Sequence, residues 1–255
     1  MRQEKLSKQI IGVSVVIPAY NEQSRICDSL KKIQEFLSRQ KMDFEIIVVD
    51  DGSKDCTASL VRSTKGVILL ENHKNMGKGY SVKRGVLHAK MGYVLFSDAD
   101  LSTPISELAK LLEHIGYYDI VIGSRRMSGS KILIMQPWYR RIPGKVFPFI
   151  VSILLLGGIS DTQCGFKLFK KEAAQVLFSM QRLERFSFDA EILFLAKKKG
   201  YHIKELPVVW VNALDSKLNA VTDSFDMFWE LLKIKWNYLV GKYDRGKSLI
   251  ASGKS

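Results

Sequence analysis

Asp98 and Asp100 stand one residue apart at the end of an apolar run, Tyr93 to Phe96. In an extended segment alternate side chains point the same way, so the two carboxylates can face one point. Like charges so placed repel unless a cation or a ligand hydroxyl separates them. A hard divalent cation carrying phosphates is the natural third party. Alone, the segment is equally a strand closing in a polar turn, and the rest of the chain must decide. Pro18-Ala19-Tyr20-Asn21-Glu22 follows another apolar run. There Tyr20 offers a ring for a base, and Glu22 a carboxylate for ribose or base. Asp50-Asp51-Gly52-Ser53 offers carboxylates suited to a nucleobase or ribose on a tight turn, and is as readily structural. In Asn75-Met76-Gly77-Lys78-Gly79 the glycines let backbone N–H groups approach a phosphate and Lys78 adds charge. The spacing is neither that of a P-loop nor that of the dinucleotide fingerprint. Gly123-Ser124-Arg125 aims a fixed cation into the same crevice.

These side chains need a frame. Val13–Ile17, Phe44–Val49, Val67–Leu70, Tyr93–Phe96 and Ile120–Ile122 read as buried strands. Between them fall helical patterns: a helix capped by Asn21 with Ile26, Leu30, Ile33 and Leu37 inward, then Thr57–Arg62, Gly77–Ala89, and Pro104–Ile115 with proline in its first turn. The alternation predicts a doubly wound, mostly parallel α/β sheet with helices on both faces and right-handed crossovers. Ligands bind such sheets beyond the carboxyl ends of the strands, where the acidic and polar clusters fall. After Arg126 the pattern loosens. A basic loop runs to Arg141, Asp161–Phe169 reads as a strand with a turn, Lys170–Phe178 and Phe188–Lys199 as helices, and Ile203–Val211 as a strand. Thr222–Tyr243 reads as a helix with aromatic residues beside lysines, packed on its own domain or lying in a membrane interface. The chain is expected to form one domain over 1–218 with a basic amphipathic extension over 219–255.

The chain has 255 residues, 46% of them apolar, enough for a full core. Its net charge of +13 points to a polyanionic partner: nucleic acid, an anionic membrane or phosphorylated substrates. The basic residues are spread along the chain without a recognition motif, which leaves nucleic-acid binding as a remote alternative. Cys27, Cys56 and Cys164 lack metal or redox spacing and read as reduced thiols of a cytosolic protein. No secretory signal and no run long enough to span a bilayer is visible. The longest uncharged apolar run, Val146–Ile159, is a buried helix or a surface dipping into lipid.

In order and spacing the clusters resemble the family 2 glycosyltransferases of GT-A (Rossmann-like) fold, and within them the dolichyl-phosphate glucosyl- and mannosyltransferases. The resemblance runs from Val13 to Leu218. It includes Trp138-Tyr139-Arg140-Arg141, Asp161-Thr162-Gln163-Cys164-Gly165-Phe166-Lys167, Phe186-Ser187-Phe188-Asp189-Ala190-Glu191 and Ser216-Lys217-Leu218. The Asp98-Ala99-Asp100-Leu101-Ser102-Thr103-Pro104 wording and the Cys164–Lys167 segment look more like the glucosyl branch. The resemblance implies an inverting, metal-dependent transfer of a hexose from a nucleotide sugar, UDP-glucose or GDP-mannose in type, to a polyprenyl (dolichyl or undecaprenyl) phosphate. The site would lie at the cytoplasmic face of a membrane, with an anionic membrane surface as partner. By matched position, Pro18, Tyr20, Glu22, Val49 and Asp51 would hold the nucleoside, and Asp98 and Ala99 would contact ribose or phosphate. Asp50 and Lys78 join this nucleotide-sugar set from their residue types. Asp100 would bind Mg²⁺ or Mn²⁺, with Ser102 where some members carry a glutamine ligand. Arg125, Arg140 and Lys217 would contact donor or acceptor phosphates, and Val211 replaces an arginine of some members.

An anionic phosphate acceptor needs positioning and charge neutralisation but no general base. No histidine (His73, His88, His114, His202) falls in a motif. A saccharide hydroxyl as acceptor would require a base, for which Asp161, Asp189 and Glu191 are candidates. The expected catalytic set is Asp100, Arg125 and Asp161.

Overall fold

A computed structural model describes residues 12–132, 156–211 and 222–243. β1 (Val13–Ala19), β2 (Phe44–Asp50), β3 (Val67–Glu71), β4 (Tyr93–Ser97), β5 (Ile120–Ser124), β7 (Phe166–Lys170) and β8 (Ile203–Pro207) form one sheet in the order β3-β2-β1-β4-β7-β5-β8. All neighbours pair in parallel except β7, which runs antiparallel to both β4 and β5. The sheet is therefore mixed and mostly parallel, as expected. The order reverses direction at β1 and β4, and a crevice opens beyond their carboxyl ends.

The uniformly apolar strands are explained by two cores, one on each face. Val13, Val15 and Ile17 of β1, with Ile46 and Val48 of β2, face one side. There they meet Ile26, Leu30, Ile33 and Leu37 of α1 (Ile26–Arg39), Val61 of α2 (Thr57–Ser63) and Leu111 of α4 (Leu108–Ile115). Val16, Ile47 and Val49 face the other side, against α3 (Lys78–His88), α5 (Lys171–Met180) and α6 (Phe188–Lys198). Leu231 and Ile234 of α7 (Thr222–Leu239) and the following Tyr243 belong to this same core.

Several local expectations are corrected. Asn21 does not cap α1. It takes a left-handed φ of 53° and its side-chain oxygen accepts the Lys54 N–H at 2.8 Å, so the helix begins only at Ile26. The stretch after Arg126 is not wholly loop: Lys131–Ile132 forms β6, paired in parallel with β9 (Val209–Trp210). Ile203–Val211 is accordingly two strands. Pairing with β5 ends at Ser124 opposite Pro207, and the chain beyond turns to β6. Pro104 leads into a single 3₁₀ turn, Ile105–Glu107, ahead of α4. Only the last four residues of the run Val146–Ile159 are described, and of these Leu156 and Ile159 are core residues.

Helix and sheet approach closely at Gly85, where a Cβ would lie 2.4 Å from Val16 Cγ1 and 3.0 Å from Val49 Cγ2. Both obstacles are branched side chains of central strands and have nowhere to move. Gly85→Val is expected to cost at least about 2 kcal/mol through overpacking, read as a lowered urea midpoint. An unchanged midpoint would disprove the close approach.

Candidate active site

The strand ends deliver the clusters to one edge of the sheet, but not in the geometry an extended chain implies. β4 ends at Ser97, and residues 98–101 form a turn. The Leu101 N–H donates to the Asp98 carbonyl at 3.2 Å, Leu101 has a φ of 47°, and the Ser102 N–H donates to Asp100 Oδ1 at 2.8 Å. The two carboxylates thus take separate surroundings. Asp98 forms an ion pair with Lys78 at 2.7 Å. Asp100, half-buried, borders a groove shared with Ser29, Lys32, Leu101 and Val211. Ser102 is buried and its carbonyl accepts the Val211 N–H at 2.7 Å.

Asp98 also fixes a residue whose role spacing did not reveal. A Cβ on Gly165 would fall 2.0 Å from Asp98 Oδ2, so any side chain there would push the carboxylate from its place. The Gly165 carbonyl in turn accepts the Asp98 N–H at 3.2 Å. Two residues on, Lys167 is buried beneath the Phe96 ring, 5.7 Å from its centroid. Its ammonium donates to Asp189 at 2.5 Å and to the Cys164 carbonyl at 2.6 Å. Lys78 lies 5.3 Å from the same ring. Two cations and two carboxylates therefore alternate around Phe96. Burial pushes the Asp189 carboxyl up, and Lys167 and Lys78 pull against it. Burial disfavours the Lys78 ammonium, but Asp98, Asp189 and Asp100 outweigh it and raise its pKa.

The fixed cation expected after β5 is present and is tightly held. The Arg125 backbone N–H, Nε and Nη2 donate to Asp161 at 2.9, 2.7 and 2.8 Å. The guanidinium carbon lies 5.4 Å from the Trp210 ring centroid. Asp161 is fully buried; burial alone would raise its pKa, but Arg125 outweighs this and brings it to about 2. Both Asp161 oxygens are spent on Arg125, so its chemistry is orientation of that guanidinium rather than proton abstraction. Glu191 is similarly committed: the Arg182 and Leu183 N–H groups and the Tyr243 hydroxyl, the last at 2.5 Å, all donate to it.

The loop after β3 is not a phosphate cradle. Its Met76 and Gly77 N–H groups both donate to Asp51 at 2.9 Å, alongside Asn72 Nδ2 at 2.7 Å. The Gly79 and Tyr80 N–H groups donate to the Arg185 and Glu184 carbonyls. Gly77 is glycine because its φ is 104° and a Cβ would sit 2.4 Å from the Glu184 carbonyl oxygen. Asp51 therefore braces this loop. Its neighbour Asp50 accepts the Ser53 N–H at 3.0 Å through one oxygen, while the other is buried with no hydrogen-bond partner among the described residues. Val49 is a core side chain, so only its backbone faces the crevice side of the strand end. Pro18 lies in β1 opposite Val49, Tyr20 is half-buried, Glu22 pairs with Arg25 at 2.6 Å, and the Ala99 carbonyl accepts the Ser29 hydroxyl at 2.7 Å. Arg140 and Lys217 lie outside the described residues. Among the described residues no three His, Cys, Asp or Glu side chains gather as a metal cage. Asp100 offers a single hard oxygen donor group, which suits an ion that takes most of its ligands from substrate phosphates and water.

The model of the family described as "Glycosyl transferase family 2" matches residues 14–178. The dolichyl-phosphate beta-glucosyltransferase of Dictyostelium discoideum is 38% identical over 248 residues, covering 91% of this chain and 76% of that protein. The proteins of that name from Homo sapiens (34%; 91% and 77% covered) and Saccharomyces cerevisiae (34%; 93% and 78%) are also similar. Among solved structures, glucosyl-3-phosphoglycerate synthase from Mycobacterium tuberculosis, in complex with Mn²⁺, uridine diphosphate and phosphoglyceric acid, superposes with a TM-score of 0.68 at 18% identity, covering 88% of this chain and 78% of that one. This likeness is one of fold, the GT-A fold expected from the motifs.

The depressed pKa of Asp161 carries a test. Because its folded value, about 2, lies below the ordinary 3.8, its contribution to stability is complete above that ordinary value and fades as pH falls toward about 2. Asp161→Asn is expected to lower stability by about 2 kcal/mol at pH 7. The gap between variant and wild type should close as urea titrations are repeated from pH 5 down to about pH 2. A gap independent of pH would remove the ion pair as its cause.

Proposed function

Since the chain belongs to glycosyl transferase family 2 and is a hexosyltransferase, we propose that it moves glucose from a uridine-diphosphate donor to a polyprenyl phosphate of the dolichyl type. The observation that carries this reading is the state of the three acids a hydroxyl acceptor would need. Asp161 is spent on Arg125, Asp189 on Lys167, and Glu191 on two backbone N–H groups and Tyr243. All three are buried. A phosphate oxygen is already anionic and nucleophilic at neutral pH, so a site whose three candidate bases are committed elsewhere suits it. The names of the relatives support the same acceptor and the same sugar.

Transfer passes through an oxocarbenium-like state as negative charge grows on the departing diphosphate. Arg125, with its direction fixed by Asp161 and its face by Trp210, would meet that charge without reorganising, which is where electrostatic catalysis gains most. Lys78, paired with Asp98 at the same edge, would supply a second cation. Asp50, with one buried oxygen unpartnered among the described residues, would accept a base or ribose donor. Asp100 would hold Mg²⁺ or Mn²⁺ against the diphosphate, with Ser102 beside it; when bound, the ion screens the leaving group's charge. Attack from the face opposite the leaving group inverts the anomeric centre. Arg140 and Lys217 would complete the phosphate contacts on the acceptor side. The acceptor's lipid tail places the reaction at a membrane surface, here assigned to the cytoplasmic side. Among the described residues no helix is long and apolar enough to cross a membrane.

Incubation with UDP-glucose labelled in the sugar, polyprenyl phosphate, detergent and Mn²⁺ should yield a labelled lipid. Label appearing only on a soluble saccharide would overturn the acceptor assignment. Asp100→Ala is expected to lower transfer at least about 100-fold with little loss of folding, and full activity in that variant would remove Asp100 from the site.

A further inference from the structure

One face of α7 buries Leu231, Ile234 and Asn237 against the core. Steps of three and four residues bring Trp229, Leu232, Trp236, Leu239 and Val240 to the other side of the helix. A helix facing water would be polar there. Instead Trp229 is 57% exposed, Trp236 62%, Leu239 76% and Val240 45%. Lys233 and Lys235 are exposed on either flank of this stripe, and Lys242 follows the helix. Tyr238, half in solvent, stands under the Lys198 ammonium, 5.2 Å from its ring centroid. The surface is thus a band of tryptophan and aliphatic side chains edged with lysine.

We propose that this face of α7 lies on an anionic lipid bilayer, with Trp236, Leu239 and Val240 at the acyl boundary and Lys233 and Lys235 among the headgroup phosphates. Indole rings favour that boundary because one edge is apolar and the other donates a hydrogen bond. Lysines reach outward from it to anionic headgroups while their methylenes stay on apolar surface. A second copy of the chain fits less well. The centre of a protein interface is depleted of lysine, and two such faces would set like charges against each other. The proposal deepens the lipid-phosphate reading and rests on it for its purpose, while its geometry stands apart from it.

The test is sedimentation of the full chain with vesicles of phosphatidylcholine, with and without phosphatidylserine. Wild type should bind the phosphatidylserine vesicles, and less so as salt is raised. Trp236→Ser combined with Leu239→Ser should lower the bound fraction at least about tenfold with thermal midpoint and helix content unchanged. Lys233→Gln combined with Lys235→Gln, which leaves every apolar side chain in place, should remove the preference for phosphatidylserine. The proposal is overturned if wild type stays in the supernatant, if both paired variants bind like wild type, or if wild type is a dimer that Trp236→Ser/Leu239→Ser dissociates. Transfer to a short-chain polyprenyl phosphate in detergent separates the two readings. Vesicle binding without transfer in wild type sinks the acceptor assignment alone, and transfer without vesicle binding sinks the helix face alone.

Discussion

A single antiparallel strand sets the geometry of this molecule's edge. β7 enters between β4 and β5 against the direction of both, so its first residues, not its last, stand beside their carboxyl ends. That inversion puts Gly165 against Asp98 and Lys167 under Phe96, and the turn before it brings Asp161 to Arg125. A parallel strand in the same slot would have delivered its far end to the crevice, and Arg125 would lack Asp161. Burying Lys167 with Asp189 is expensive, since desolvation of two ions rivals their attraction. The extra hydrogen bond from Lys167 to the Cys164 carbonyl and the aromatic face of Phe96 offset part of that cost. What results is a rigid base of alternating charge on which Lys78 and Asp98 rest.

The same logic of fixed pairs governs the rest of the site. Asp161, Asp189 and Glu191 each have their cation or their backbone N–H groups, so none of these three is free to abstract a proton. Arg125 illustrates the benefit. An exposed arginine would sample many rotamers and reorganise when charge appears, whereas two guanidinium hydrogen bonds to one carboxylate and a tryptophan face leave it one direction. Fixed pairs of this kind favour positioning and field over acid–base exchange.

The architecture was legible in the sequence because it depends on period and position. Uniform apolar strands, helical spacing in α1 and α3, and polar clusters at strand ends all follow from burial, and burial leaves its pattern in residue types. Arg125 was legible for the same reason, standing at the end of β5. The loop Asn75–Gly79 misled because glycines that admit a phosphate are the same glycines that admit a carbonyl, and here Glu184 and Asp51 fill that place. Asp98 and Asp100 misled through the assumption that the strand continued, which the left-handed turn at Leu101 breaks. The Lys167–Asp189 pair joins residues 22 apart in sequence through the antiparallel turn of β7, and no local pattern announces such a partnership. Gly165 was conspicuous only as a letter within a matched segment, since what it avoids, an oxygen of Asp98, belongs to the turn after another strand.

Glu191 gives the segment after α7 an unexpected reach. Tyr243 grips this carboxylate from one side, and the Arg182 and Leu183 N–H groups grip it from the other. The same segment, through Gln181 and the Glu184 and Arg185 carbonyls, holds Gly79 and Tyr80 at the start of α3, next to Lys78. From Tyr243 to the backbone beside Lys78 there runs a path of hydrogen bonds joined by short stretches of main chain. Tyr243 is thus tied through the core to the start of α3, and the helix that leads into it is part of the frame that seats Lys78 rather than an appendage.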